Sequence, residues 1–315
     1  MNLELFWNLI LVGAGLAMLF FGAEWLVKGS VTIANKLRMS QLVIGLTIVA
    51  FGTSTPELAV SISSATKGIS DVALGNVVGS NIANIGLILG LSAFIAPIAV
   101  SRKTLRKEIP LMIGISFLLL AVSIDGSISF YDGILFVGGI LIFTIFSYKT
   151  TRKEVVETVI SNEKNDSSFS KSIILIIIGL ILLTVGAFFT VDNAVIIAKE
   201  IGLSERIIGL TLVAVGTSLP ELITSIVAAK RGHTDISVGN ILGSNIFNIL
   251  AILGISSSIT AISVNDSMWT DYVFMILFAV ILLPIIKTGL KIGKIEGILL
   301  VAGYVGYTAF LIFSR

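Results

Sequence analysis

Long apolar segments separated by short polar ones recur along the whole chain. Crossing a bilayer core as a helix takes about 20 mostly apolar residues. The pattern predicts ten such helices, at 5–27, 41–66, 71–96, 107–124, 131–148, 171–198, 205–229, 235–260, 269–286 and 295–313. One long hydrophilic stretch, 149–170, is predicted to be a linker between two halves, 1–148 and 171–315. The remaining loops are too short to hold a soluble domain.

The composition favours the same architecture. Of 315 residues, 55% are hydrophobic and only 13% are charged, whereas soluble proteins carry about 25% charged residues. We therefore predict an all-α integral membrane protein with ten transmembrane helices, and we exclude a cytoplasmic enzyme or a nucleic-acid-binding protein. The absence of cysteine excludes disulfides and thiolate metal sites. Residues 1–5 lack the basic segment of a cleavable signal peptide, so the first apolar segment is expected to remain.

The distribution of basic residues predicts the orientation of the chain. An even number of helices places both termini on one side of the membrane. The loops after the first, third, fifth, seventh and ninth helices hold about 17 of the 21 Lys and Arg residues. Because basic loops stay in the cytoplasm, we predict a plasma-membrane protein with both termini outside and the 149–170 linker inside.

The two halves of the chain repeat each other. Segment 45–98 aligns with 209–262 at a constant offset of 164 residues without gaps, and 30 of the 54 positions are identical. Each half contains five predicted helices, so the second half enters the membrane with the opposite polarity. Inverted repeats of this kind are typical of secondary transporters, which place the substrate site at the midplane between the halves.

Two acidic residues lie deep inside apolar segments of the repeats. Glu57 and Glu221 are each preceded by a run such as LTIVAFGTSTP or LTLVAVGTSLP. An ionisable side chain at this depth costs at least a few kcal/mol and usually faces a partner, an ion or a water-filled cavity. A protonated glutamate that hydrogen-bonds between helices is the alternative. The duplication at related positions favours a functional pair.

Proline residues stand directly before both glutamates. Pro56 and Pro220 each remove an amide donor and clash with the carbonyl four residues earlier, so we expect the helices to open near 50–53 and 214–217. Carbonyl groups freed at membrane depth need another partner, which can be a cation. Hydroxyl groups lie at the same level, on Thr53, Ser54, Thr217 and Ser218.

A second motif follows in each repeat, GNVVGSNIAN at 75–84 and GNILGSNIFN at 239–248. Residues four positions apart share a helix face; these are Asn76, Ser80 and Asn84, and Asn240, Ser244 and Asn248. Asn81 and Asn245 are rotated away from these faces. Close helix packing through the glycines explains part of the motif. We expect Ser80, Ser244, Asn84 and Asn248 to present oxygen atoms to the glutamates as well.

Together these residues form an all-oxygen set with two carboxylates. Such a set suits hard cations, and Ca²⁺ takes about six to eight oxygens in flexible geometry. Two carboxylates balance one Ca²⁺, and the same oxygens could be divided among two or three Na⁺. The only histidine, His233, lies in a basic loop and is expected to be solvated.

The sequence resembles the sodium/calcium exchanger family, and specifically its compact prokaryotic members. The resemblance rests on GTSTPE at 52–57 and GTSLPE at 216–221, each followed by the GN..GSN..N run. It implies that Glu57 and Glu221 are the central Ca²⁺ ligands, helped by Thr53 and Thr217. It also implies Na⁺ ligands, namely the Ala50 carbonyl, Thr53, Ser54, Ser80, the Ala214 carbonyl, Thr217, Ser218 and Ser244.

Two further features follow from this resemblance. Asn84 and Asn248 would flank the centre, and the K⁺-dependent branch of the family carries Asp at one of these positions, so Asn at both argues against K⁺ coupling. The 149–170 linker is too short for the regulatory Ca²⁺-binding domain of eukaryotic members. Ca²⁺ and Na⁺ are the implied substrates in the lipid bilayer, with no cofactor, nucleic acid or obligate protein partner.

The expected function is therefore an antiport of Na⁺ against Ca²⁺ by alternating access, with about three Na⁺ per Ca²⁺ and net Ca²⁺ extrusion. The resemblance also suggests that the first and sixth helices move against the other eight. Three alternatives stay open: a Ca²⁺/H⁺ antiporter that uses the same glutamates, a cation channel, and a membrane scaffold that transports nothing.

Overall fold

The computed structural model describes residues 3–154, 168–202 and 214–314 of the chain. Almost all of them are helical. The helices are α1 (Leu3–Leu37), α2 (Gln41–Thr53), α3 (Thr55–Thr66), α4 (Ser70–Ile95), α5 (Arg102–Arg106), α6 (Glu108–Val122), α7 (Phe130–Glu154), α8 (Phe169–Glu200), α9 (Ala214–Gly216), α10 (Leu219–Lys230), α11 (Thr234–Ile259), α12 (Met268–Lys287) and α13 (Lys294–Ser314).

The ten predicted segments correspond to these helices. Within the described ranges, seven helices are long and apolar enough to cross a membrane, and the bent pair α2–α3 makes an eighth span. Helix α6 is shorter, with 15 residues. The pair α9–α10 is the counterpart of α2–α3. The first part of its predicted helix, and most of the predicted linker, lie at 203–213 and 155–167, outside the described residues.

Helix α1 is longer than predicted. The sequence pattern ends it at residue 27, but the helix continues to Leu37. Beyond the predicted end, Ser30 and Thr32 are buried, and the Thr32 hydroxyl donates to the carbonyl of Lys28 at 3.0 Å. The helix thus continues past its apolar segment with polar residues that the rest of the protein covers.

Both predicted helix openings occur, slightly later than expected. Residues 50–53 remain helical, and Ser54 (φ −82°, ψ 9°) separates α2 from α3 with a bend of 49°. In the second repeat the opening includes Ser218 (φ −89°, ψ 8°). Each proline takes the second position of the new helix, where its missing N–H costs nothing. Proline therefore stops one helix and begins the next.

The two helices that carry the GN..GSN..N motif, α4 and α11, are the most buried spans. In contrast, α1, α7 and α13 expose large apolar side chains such as Phe20, Ile142 and Phe313, as expected of surfaces that face lipid. Short π-helical turns interrupt the α-helical pattern at Gly45–Val49, Asn84–Leu89 and Asn248–Leu253. Turns of this kind often mark functional sites. The last two begin at Asn84 and Asn248, the last asparagine of each motif.

In the part of the chain that the structure describes, four short strands link the two repeats: β1 (Ile98–Ala99), β2 (Ser127–Ile128), β3 (Ile262–Ser263) and β4 (Lys291–Ile292). Strand β1 pairs antiparallel with β4, and β2 pairs antiparallel with β3. Adding the repeat offset of 164 turns β1 into β3 and β2 into β4. The two pairs are therefore one contact made twice, and each joins one repeat to the other.

Helices α1 and α8, the first members of the two repeats, pack through glycines. A Cβ atom placed on Gly22 would lie 2.8 Å from the carbonyl oxygen of Gly179, and one placed on Gly186 would lie 2.8 Å from that of Gly15. At the end of α10, Arg231 binds Glu24 of α1 through two hydrogen bonds of 2.9 and 2.8 Å. Close backbone approach through small residues is typical of membrane helix pairs.

We expect Gly22→Ala to destabilise the protein by about 1–3 kcal/mol, because the added methyl group would overlap the α8 backbone. The measurement is the thermal unfolding midpoint of the purified protein in detergent. Gly13→Ala is the matched control, since a Cβ at Gly13 on the same helix meets nothing within 4 Å. Equal midpoints for the two variants would contradict the close packing of α1 on α8.

Candidate functional site

The two glutamates are buried, and each lies directly after a helix opening. Glu57 and Glu221 are each 1% exposed and belong to the first turns of α3 and α10. The N-terminus of a helix carries a partial positive charge that favours an anionic side chain. The helix openings thus place each carboxylate near the start of a new helix.

Serines from the openings bind the glutamates across the repeats. Ser54 donates to Oε1 of Glu221 at 2.9 Å, and Ser218 donates to Oε1 of Glu57 at 3.1 Å. The same two hydroxyl oxygens lie 3.0 Å from Ser244 Oγ and 3.5 Å from Ser80 Oγ, respectively. The structure therefore brings together both carboxylates and four of the predicted serines. Each carboxylate is held by the opening of the other repeat.

The predicted threonine ligands are not equivalent. Thr53 is buried, and its hydroxyl lies 3.1 Å from Oδ1 of Asn240 on α11 and 3.3 Å from the Ala50 carbonyl. Its counterpart Thr217 is half-buried, and no bond links it to Asn76, the residue related to Asn240. The first opening is thus closed onto α11, while the second does not make the related bond to α4.

The backbone hydrogen bonds near the carbonyls expected as ligands also differ between the repeats. In the first repeat the amide of Ser54 donates to the carbonyl of Ala50 at 3.0 Å, so this carbonyl is not freed as predicted. In the second repeat the amide of Ser218 turns to the carbonyl of Val215 at 3.2 Å. The amide that follows the opening thus bonds a different carbonyl in each repeat.

The motif asparagines complete the centre. Asn84 and Asn248 are each 1% exposed and stand at the first positions of the two π-helical turns. Their amide nitrogens donate to Asn245 and Asn81, at 3.1 and 2.9 Å. The side-chain oxygens of both residues remain turned away from these bonds.

Four buried oxygen atoms of this centre have no hydrogen-bond partner among the described residues. They are Oε2 of Glu57, Oε2 of Glu221, Oδ1 of Asn84 and Oδ1 of Asn248. A buried acceptor without a partner costs free energy, and four in one centre require an explanation. Hard cations are suited to such atoms, because carboxylate and amide oxygens are the ligands that Ca²⁺ and Na⁺ prefer. Nitrogen and sulfur ligands do not occur in this set.

Sequence reasoning missed the role of a group of residues that hold each helical hairpin together. Asn76 donates to Ser61 Oγ at 2.9 Å and to the Glu57 carbonyl at 3.1 Å. Asn240 donates to Ser225 Oγ at 3.0 Å and to the carbonyl of Glu221. These bonds anchor the backbone of each glutamate to the following helix. Their signal was present, since all four side chains are identical at the offset of 164 residues.

The prediction for His233 was wrong in part. The residue is half-buried at the start of α11, and its Nδ1 lies 3.1 Å from Oε1 of Gln41. Within the described ranges, no group of three or more His, Cys, Asp or Glu side chains could hold a metal ion. The glutamate pair with its hydroxyl and amide oxygens is thus the centre that offers cation chemistry.

Comparisons with known proteins agree with this geometry. The sequence model of the family described as sodium/calcium exchanger protein matches residues 7–149 and 171–313, one segment in each half. The chain is 37% identical to a putative antiporter, CaxA, of Alkalimonas amylolytica, over 97% of this chain and 98% of that protein. It is 33% identical to the sodium/calcium exchanger MaX1 of Methanosarcina acetivorans, over 97% and 99% of the two chains.

A solved structure shows the same architecture. The sodium–calcium exchanger NCX_Mj, from crystals soaked with Na⁺ and Sr²⁺, matches with a TM-score of 0.84 and 35% identity. The match covers 98% of this chain and 99% of that one. The mostly helical membrane fold is thereby confirmed, and the two matched segments fit the predicted inverted repeat.

Proposed function

The chain belongs to the sodium/calcium exchanger family, and we propose that it moves three Na⁺ against one Ca²⁺ through the site between Glu57 and Glu221. The four unpartnered oxygens of that site carry the proposal, because they are buried at the place where the repeats cross. The proposed ligands of the transported ions are Glu57, Glu221, Asn84 and Asn248, with Thr53, Thr217, Ser54, Ser218, Ser80, Ser244 and the carbonyls of Ala50 and Ala214.

Charge balance explains why such a site exchanges ions. Two carboxylates buried among apolar helices are costly to carry through a low-dielectric barrier without neutralisation. One Ca²⁺ cancels their charge, and so do two Na⁺, with a third Na⁺ bound by neutral oxygens. Only loaded sites then cross between the two faces, and each crossing returns a different ion. The empty carrier stays on one side, which makes the process an obligatory exchange.

The glycine-packed pair α1–α8 is suited to be the moving part. It contributes none of the proposed ligands, its two members pack closely on each other, and α1 exposes much of its surface to lipid. Movement of such a pair past a fixed centre opens the site alternately to the two faces. The two openings differ between the repeats, since the Ser54 amide donates to Ala50 whereas the Ser218 amide donates to Val215.

In the cell, an inward Na⁺ gradient and a negative interior drive this exchange toward Ca²⁺ extrusion. Three Na⁺ entering for one Ca²⁺ leaving carry one net positive charge inward, and each charge gains about 2.3 kcal/mol per 100 mV. The protein is proposed to work in the plasma membrane. Its basic loops face the cytoplasm and both termini face outward.

We expect ⁴⁵Ca²⁺ uptake into proteoliposomes loaded with Na⁺, and none into vesicles loaded with K⁺ or choline. Glu57→Gln should reduce this uptake at least 100-fold, because the remaining carboxylate cannot balance a divalent ion. Asp266→Asn is the control, since Asp266 is an exposed acidic residue between β3 and α12, outside the site. Uptake that a pH gradient drives without Na⁺ would identify a proton antiporter instead. Fluxes far above carrier turnover would identify a channel, and unchanged flux in Glu57→Gln would exclude this site.

The ratio of three to one predicts that exchange is electrogenic. In Na⁺-loaded vesicles, an inside-positive potential set by K⁺ and valinomycin should accelerate Ca²⁺ uptake, because each cycle moves one positive charge outward. The measured reversal potential should equal three times the Na⁺ equilibrium potential minus twice that of Ca²⁺. A flux that ignores the potential would indicate two Na⁺ per Ca²⁺ and would refute the ratio.

The proposed orientation is testable because the native chain has no cysteine. In intact cells, a membrane-impermeant maleimide should label Lys67→Cys from outside, whereas Thr288→Cys should react only after permeabilisation. Both positions are exposed in the structure. The reverse labelling pattern would place the termini in the cytoplasm.

A further inference from the structure

In both asparagines at the centre, the unpartnered atom is the oxygen and not the nitrogen. An asparagine side chain can turn over, which exchanges its oxygen for an NH₂ group of nearly the same shape. An NH₂ group directed at the site would repel a cation. Something in the surroundings must therefore fix the orientation of Asn84 and Asn248.

The asparagines that the sequence places off the ligand face supply this orientation. The Nδ2 atom of Asn84 donates to Oδ1 of Asn245 at 3.1 Å, and Nδ2 of Asn248 donates to Oδ1 of Asn81 at 2.9 Å. Positions 81 and 245 are related by the repeat offset of 164 residues. The two bonds are thus one contact made twice across the repeats, and each leaves only oxygen for the site.

The orienting residues are themselves held by groups that only accept hydrogen bonds. Nδ2 of Asn81 lies 3.2 Å from the backbone carbonyl of Asn245 and 3.8 Å from Sδ of Met275. Nδ2 of Asn245 lies 3.4 Å from Sδ of Met112. Carbonyl and thioether groups have no hydrogen to donate. The NH₂ groups of Asn81 and Asn245 therefore face them, and the Oδ1 atoms face the ligands.

We propose that Asn81 and Asn245 are positioning residues that set the amide orientation of Asn248 and Asn84, and through them the affinity for Ca²⁺. The proposal rests on the proposed function, in which these two amide oxygens bind the transported ion. Asn81 and Asn245 are each 2% exposed, and neither offers an unpartnered atom to the site. Polar packing between helices is the competing explanation for both.

The first test replaces Asn245 by leucine, which has a similar shape but accepts no hydrogen bond. Asn245→Leu should weaken Ca²⁺ binding about tenfold, the usual effect of losing a residue that orients a metal ligand. The readouts are calorimetric Ca²⁺ titration of the purified protein and the KM for Ca²⁺ in Na⁺-dependent uptake, with kcat much less affected. Asn245→Asp keeps the acceptor and should bind Ca²⁺ at least as tightly as the unsubstituted protein. An equal loss in both variants would overturn the proposal.

A double-mutant cycle separates positioning from packing. In an Asn84→Ala background, Asn245→Leu should change Ca²⁺ affinity less than twofold, because the amide that it orients is gone. In an Asn248→Ala background, the same substitution should keep its full tenfold effect. The mirror pair, Asn81→Leu with Asn248→Ala, provides the same test if one variant does not fold.

The outcomes distinguish a failure of the positioning role from a failure of the proposed function. Equal losses from Asn245→Leu in both backgrounds would indicate a packing role and overturn the positioning role alone. An unsubstituted protein that folds but shows neither Ca²⁺ binding nor Na⁺-dependent uptake would contradict the proposed function, and the positioning role with it. Loss confined to the background that retains Asn84 supports both.

Discussion

Two carboxylates buried within apolar helices are the constraint on which the rest of this structure depends. Among the described residues no positive charge neutralises them, because their hydrogen-bond partners are neutral serines, Ser218 for Glu57 and Ser54 for Glu221. Each serine bonds the Oε1 atom of its glutamate, and the buried Oε2 atom has no hydrogen-bond partner among the described residues. The fold therefore keeps an incomplete set of interactions at this site, which the transported cation would complete under the proposed function.

The local chemistry that builds this centre is simple. A proline ends one helix and begins the next, so the serine between them leaves the helical pattern and the glutamate enters a first turn. A π-helical turn begins at the last asparagine of each motif, Asn84 and Asn248. These are small departures from regular helices, and each would be unfavourable in lipid. They occur on helices that the other spans cover, where side chains from the second repeat compensate for them.

Much of this could be predicted from the sequence, and the rest could not for definite physical reasons. Apolar runs, the repeat and the duplicated GTS.PE motif were enough for the helices and the glutamate pair. Helix α1 continues to Leu37 through the polar residues Ser30 and Thr32, whose burial by other parts of the protein no local pattern contains. That Ser54 binds Glu221, and not Glu57 beside it in the chain, follows only from how the repeats interlock. Asn81 was set aside because spacing assigns a helix face but not the partner that meets it.

Each repeat supplies the serine and the asparagine that bond the site residues of the other repeat. This exchange has a consequence for how such a protein is encoded. One repeat alone is a half-site, since its glutamate lacks a serine and its asparagine lacks an acceptor. Joining both halves in one chain guarantees that they are made in equal numbers. It also lets them diverge. Glu24 of the first half bonds Arg231 of the second, whereas the positions related to them by the repeat offset hold Phe188 and Lys67. The surface can therefore become different on the two sides of the membrane, while the centre keeps its twofold design.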